Sequence, residues 1–137
     1  MEDQPRVSIT RRFTFAAGHV LAHADWDDDQ NREVFGTCSR DHGHNYELEV
    51  TVSGAVDADT GMIINLREVD KIVKERVIAD VDHRHLNRDV SWLFDCIPTT
   101  ENVALAIWRH LEGGFQAARL DKVRLKETEN NAAEVTR

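Results

Sequence analysis

The chain has 137 residues, 41% hydrophobic and 31% charged, which suits a single domain over residues 1–137 with one modest core and a well-solvated surface. Its net charge of −8 argues against non-specific binding to nucleic acid or to anionic membranes, and no apolar stretch is long enough to span a bilayer. Two cysteines are too few for a disulfide framework and point to a reducing, cytoplasmic setting, while the polar, acidic start Met1–Pro5 is no signal peptide.

From Val7 to His19 the residues Val7, Ile9, Phe13, Phe15, Ala17 and His19 share one parity, with Arg11 the exception. Ser8, Thr10, Arg12 and Thr14 take the other, which predicts a half-buried strand. Residues 23–35 carry the acid run Asp27-Asp28-Asp29 and read as a solvated loop with room for a short helix. His44 to Val52 alternates again, with Tyr46, Leu48, Val50 and Val52 on one side. Asp57 to Gly61 has turn chemistry. Asn65 then caps a helix with Leu66, Val69, Ile72, Val73 and Val77 at helical spacing. Residues 80–97 read as irregular. Pro98-Thr99-Thr100-Glu101 opens a second helix, which ends at Gly113-Gly114. Leu120 to Thr128 is a third strand, Asn130-Asn131 a hairpin turn, and Ala132 to Arg137 a fourth strand. The order β-β-α-α-β-β predicts an α+β domain: a four-stranded antiparallel sheet with two helices on one face. Its open edges make self-association a natural expectation.

His42-Gly43-His44 enters the second strand, and His-x-His on an extended backbone puts both imidazoles on one face. By parity His19 lies on the face of Phe13 and Phe15. If both apolar faces meet one core, three histidines converge at its end. Three imidazoles suit zinc, with iron or copper as alternatives, and leave a position open for water or substrate. The bland alternative is three unrelated, locally bonded histidines; the convergent set favours the metal. His23, His85 and His110 read as surface or locally bonded residues. Cys38 has three readings: a fourth ligand, a small buried residue, or a catalytic thiolate. Cys96 reads as core. Asp82-His83 is a candidate acid–base pair, or a polar loop. Glu127 shares the inward parity of Val123 and Leu125, where a carboxylate is costly unless paired. It pairs with a buried arginine, or it awaits a ligand edge offering two parallel N–H donors.

These motifs together resemble the 6-pyruvoyltetrahydropterin synthase family, which includes the 6-carboxytetrahydropterin synthases of the queuosine and deazapurine pathway. The resemblance runs through Phe13–His19, Asn31–Tyr46, Thr60–Leu66, Asp82-His83, Thr99–Asn102 and Lys126–Thr128. It implies the tunnelling fold and a cytoplasmic hexamer of two trimers, each trimer closing a twelve-stranded barrel. It implies zinc on His19, His42 and His44, and Cys38 as catalytic thiolate. Asp82 and His83 become its proton-relay partners from an adjacent subunit. Glu127, helped by Thr99 and Thr100, becomes the anchor of a pterin's amino-pyrimidinone edge. The implied substrate is 7,8-dihydroneopterin triphosphate.

Departures bear on the product. Only Ser39-Arg40-Asp41 separates Cys38 from His42, as in the carboxy-forming enzymes, whereas HGHNY, TGMIINL and TTENV look closer to the pyruvoyl type. Gly18-His19-Val20 stands where Ala-His-Arg is commoner, which removes an arginine from the substrate's side. Retained Cys38 argues against the folate-precursor branch. The short gap makes 6-carboxytetrahydropterin, formed with loss of acetaldehyde and triphosphate, the expected product, with 6-pyruvoyltetrahydropterin as the alternative. A non-catalytic pterin-binding module with structural zinc is the rival from another class.

Overall fold

Period-two alternation builds two long strands that pair along their whole length. β1 (Val7–His19) and β2 (His42–Gly54) run antiparallel in register from Val7 opposite Gly54 to His19 opposite His42. The computed structural model describes residues 5–137, so the expectation placed on Met1–Gln4 lies outside the described residues. Phe13, Phe15, Ala17 and His19 are buried on the inner face, as are Tyr46, Leu48, Val50 and Val52 opposite them. The outer face carries cross-strand ion pairs, Lys126–Glu47 at 3.6 Å and Arg124–Glu49 at 3.4 Å among them. Such exposed pairs add little stability, but they keep that face wet.

Between the long strands lie α1 (Asp28–Phe35) and a 3₁₀ turn (Gly36–Ser39). Asp27 caps α1 by accepting the Gln30 N–H at 2.8 Å, so the first residue of the acid run has a structural role. After β2, the Asp57 carboxylate accepts the N–H groups of Asp59 and Thr60 and closes the expected turn, with Gly61 at φ 73°. α2 (Leu66–Val73), capped by Asn65, passes through a π-helical stretch (Lys74–Ile78) into the single turn α3 (Ala79–Val81). Val69, Val73, Val77 and Val81 are all buried at four-residue spacing. An α-helix of 3.6 residues per turn would rotate that stripe off the core; the wider π winding lets it stay.

Residues 80–97 are more ordered than their sequence suggests. Arg84–His85 form β3, a two-residue strand parallel to Ala17 and Gly18, followed by α4 (Leu86–Asp89). The sheet is therefore five-stranded, in the order β3-β1-β2-β4-β5, and not wholly antiparallel. Two residues are too few for any periodicity to show. α5 (Thr100–Leu111) buries Val103, Ile107 and Leu111 against the same face. Thr99 caps it by accepting the Asn102 N–H, and Gly113 leaves it at φ 76°. β4 (Arg119–Thr128) and β5 (Asn131–Thr136) complete the sheet. Their turn is Glu129-Asn130, one residue earlier than expected, because Asn131 already pairs with Thr128.

Candidate active site

β1 and β2 end side by side, His19 opposite His42 and Ala17 opposite His44. The inner-face parity of both strands thus brings the three imidazoles together. One ring nitrogen from each lies within 4.8 Å of the other two. The outer nitrogens are already committed: His19 Nδ1 donates to the Pro98 carbonyl at 2.8 Å, and His42 Nδ1 to the Arg40 carbonyl at 2.7 Å. A carbonyl only accepts, so each proton sits on Nδ1 and each Nε2 offers a lone pair. The Nε2 atoms of His19, His42 and His44 are buried without a hydrogen-bond partner among the described residues. Burial lowers the pKa of His19, as it does that of His44, and favours the neutral, ligating forms. Orphaned, neutral, convergent nitrogens with backbone carbonyls behind them are what a bound divalent metal requires. Cys38 is not one of the grouped ligands, so this geometry does not support its reading as a fourth ligand.

Glu127 borders the same histidine cluster. β4 carries one residue more than β5 between Lys126 and Thr128, and this irregularity falls on Glu127. Such an extra residue re-aims a side chain. Its carboxylate lies 3.9 Å from His19 Nε2 and 3.7 Å from His44 Nε2, too far for hydrogen bonds. Thr100 Oγ1 donates to it at 2.8 Å and Asn131 Nδ2 at 3.3 Å. Burial alone would raise its pKa; those two hydrogen bonds and the nearby histidines outweigh it and hold the carboxyl below the usual value. No arginine pairs with Glu127 among the described residues. That leaves an ionised, largely buried acceptor beside the cluster. Tyr46 lies beside the cluster: its ring stacks on Phe15 at 4.7 Å, its hydroxyl has no partner among the described residues, and burial with Glu127 nearby raises its pKa.

Asp82 and His83 do face each other despite being adjacent. His83 takes a left-handed backbone, φ 60°, which turns its ring back until Nδ1 lies 3.0 Å from Asp82 Oδ1. The same carboxylate oxygen accepts the Ala16 N–H at 3.0 Å, and that bond, before His83 itself, holds Asp82 below its ordinary pKa. His83 lines an outer-face groove with Ala16, Gly18, Gly43 and Asn45, and its side chain is 84% exposed. His44 of the cluster borders the same groove, but the His83 side chain opens to solvent.

A profile of the family described as 6-pyruvoyl tetrahydropterin synthase matches residues 8–137. The chain belongs to this family. The 6-pyruvoyl tetrahydrobiopterin synthase of Pongo abelii is 41% identical over 128 residues, 92% of this chain and 88% of that one. A putative 6-carboxy-5,6,7,8-tetrahydropterin synthase of Archaeoglobus fulgidus is 39% identical over the full length of both. The Caenorhabditis elegans 6-pyruvoyl tetrahydropterin synthase structure superposes with a TM-score of 0.90 at 34% identity, covering 97% of this chain and 96% of that one. Family membership confirms the tunnelling fold and makes the chain a pterin synthase of the lyase type.

Within the family frame, the expected residues fall into two groups. His19, His42, His44, Glu127 and Thr100 cluster through mutual proximity, whereas Asp82 and His83 pair with each other. Cys38 sits partly buried on the 3₁₀ turn, its carbonyl accepting the Leu21 N–H at 2.9 Å. Thr99 uses its hydroxyl oxygen as the helix cap. Sequence reasoning missed Asn131, Tyr46 and the Pro98 carbonyl. Tyr46 shares the parity of His44 and was findable; the other two depend on tertiary contacts.

Proposed function

We propose that this protein holds zinc on His19, His42 and His44 and eliminates triphosphate from 7,8-dihydroneopterin triphosphate to give 6-pyruvoyltetrahydropterin. The observation that carries the reading is the closeness of three imidazole nitrogens, unpartnered among the described residues, to an ionised Glu127 that pairs with no arginine there. When bound, zinc supplies Lewis-acid polarisation of the substrate's side-chain oxygens. Glu127 accepts two parallel N–H bonds from the amino-pyrimidinone edge, with Thr100 and Asn131 fixing its rotamer. Cys38, as thiolate, takes a proton from a side-chain carbon, and the C–O bond to triphosphate breaks with its electron pair leaving on the phosphate. Protons lost from the side chain return to the ring, which becomes tetrahydro as the side chain becomes a diketone, so no outside oxidant or reductant is needed. Asp82 holds His83 as the proton relay. The outer-face position of His83 supports its serving the site of a neighbouring copy, in a hexamer built from two trimers.

The pyruvoyl product is favoured by the similarity of the relatives that bear that name. The carboxy product is the second reading, favoured by the three-residue gap between Cys38 and His42 and by the end-to-end match to the archaeal relative. Anaerobic incubation of the zinc-loaded protein with 7,8-dihydroneopterin triphosphate, followed by mass spectrometry, separates them. Pyruvoyltetrahydropterin without acetaldehyde is expected. Carboxytetrahydropterin with acetaldehyde selects the second reading, and absence of turnover overturns both in favour of a binding module.

A further inference from the structure

We propose that His85, seconded by Arg88, holds the Asp41 carboxylate as a positioning clasp that fixes the turn bearing Cys38 against the segment bearing Asp82 and His83. The turn has little slack. Ser39 Oγ donates to the Gly36 carbonyl at 2.8 Å, the Arg40 N–H to Thr37 at 3.1 Å, and the Arg40 carbonyl accepts His42 Nδ1. The Asp41 side chain reaches out of the turn. Its Oδ1 accepts His85 Nε2–H at 2.9 Å, and Arg88 donates to both oxygens at 3.4 and 3.1 Å.

The other half of the clasp is stitched to β1 independently. His83 N–H donates to the Ala16 carbonyl, β3 pairs with Ala17 and Gly18, and the Asn87 amide both accepts from and donates to the Val20 backbone at 2.8 and 2.9 Å. The His85 N–H itself is held by Asp89 at 2.8 Å. Asp41 therefore joins one internally braced element to another.

The two arms are unequal. Arg88 and Asp41 have side chains 65% and 61% exposed, and an exposed pair of this kind contributes little. The His85 side chain is only 17% exposed and lies over Gly18, where an added Cβ would sit 3.5 Å from Cδ2. Its Nδ1 is buried without a partner among the described residues. A phenyl ring would fill the same space without stranding a nitrogen, so packing alone does not account for histidine here. What histidine adds is the Nε2–H on Asp41.

The inference rests on Cys38 being the proton acceptor, and its test reads Cys38 directly. Zinc-loaded full-length wild type, His85→Phe and His85→Gln are compared for the rate of Cys38 alkylation by iodoacetamide, with Cys96 as internal reference, and for kcat and KM. Phenylalanine keeps the ring and loses the donor; glutamine keeps a donor near the Nε2 position. His85→Phe is expected to change the Cys38 rate several-fold while Cys96 is unmoved. It should lower kcat about tenfold, a loss that a sub-ångström misplacement readily produces, with KM and zinc content held within about twofold. His85→Gln should recover most of both. Equal Cys38 rates and equal kcat in wild type and His85→Phe would overturn the clasp. A Cys38 rate that responds while even the wild type fails to turn over would uphold the clasp and refute the proposed reaction. Should His85→Phe fail to fold, Asp41→Ala, which removes the acceptor outright, carries the same expectation and the same refutation.

Discussion

The site is built on two kinds of unpaid polarity: lone pairs without donors on the histidines, and a carboxylate without a cation on Glu127. Removing one member of each kind has separable effects. His42→Ala should strip the metal while the sheet stays folded, read by metal analysis beside circular dichroism; full metal retention would remove His42 from the ligand set. Glu127→Gln should weaken binding of a pterin analogue by about 10- to 100-fold, in line with about 1.5–3 kcal/mol for hydrogen bonds to a charged group. Metal content should not change, and unchanged affinity in a calorimetric titration would end the anchor role. Both residues were legible as inward-facing polar groups from strand parity alone. The carbonyls of Pro98 and Arg40 that set the imidazole tautomers were not, because a backbone acceptor has no side-chain signature.

At the scale of elements, α2 and α5 cover the sheet face that carries the site. α5 depends on burial, and Leu111 is fully buried, so Leu111→Ala should cost about 2–5 kcal/mol in denaturant unfolding with little change in slope. α2 has an electrostatic tie as well: Arg11 donates twice to Asp70, at 2.8 and 3.0 Å. That hydrogen-bonded pairing holds the Asp70 carboxyl below its ordinary pKa in the folded state. Its contribution is complete above the usual carboxylate range and is lost as pH falls through the lowered value, because the unfolded chain then binds the proton first. Wild type should therefore lose Tm more steeply than Asp70→Asn between about pH 5 and pH 2. Parallel slopes would show the tie to be silent, as exposed pairs often are. Arg11 breaks the apolar parity of its strand, and Asp70 is the reason. A sequence pattern shows the exception but cannot name a partner 59 residues away.

Among the described residues, β5 is unpaired on one side and most of β1 is bare beyond the two residues that β3 covers. Edges of this length are ordinarily covered, and edge-to-edge pairing of copies covers them. Light scattering on the purified protein should give a mass several-fold that of the 15.6 kDa chain, in a multiple of three. A monomer would leave His83 facing solvent and would exclude the shared relay.

The sequence by itself determined the two long strands, the two main helices and their caps, because periodicity and capping are local properties of neighbouring residues. It also placed His19, His42, His44 and Glu127 on inward faces, since parity needs no knowledge of the partner strand. Tertiary structure alone decided the rest. Whether three inward histidines meet depends on the register that sets His19 opposite His42. β3 exists only because β1 is there to pair with it. His83 faces Asp82 only through a backbone conformation that the Ala16 contacts hold in place. Asp41 and His85, 44 residues apart, become partners only once the chain has folded.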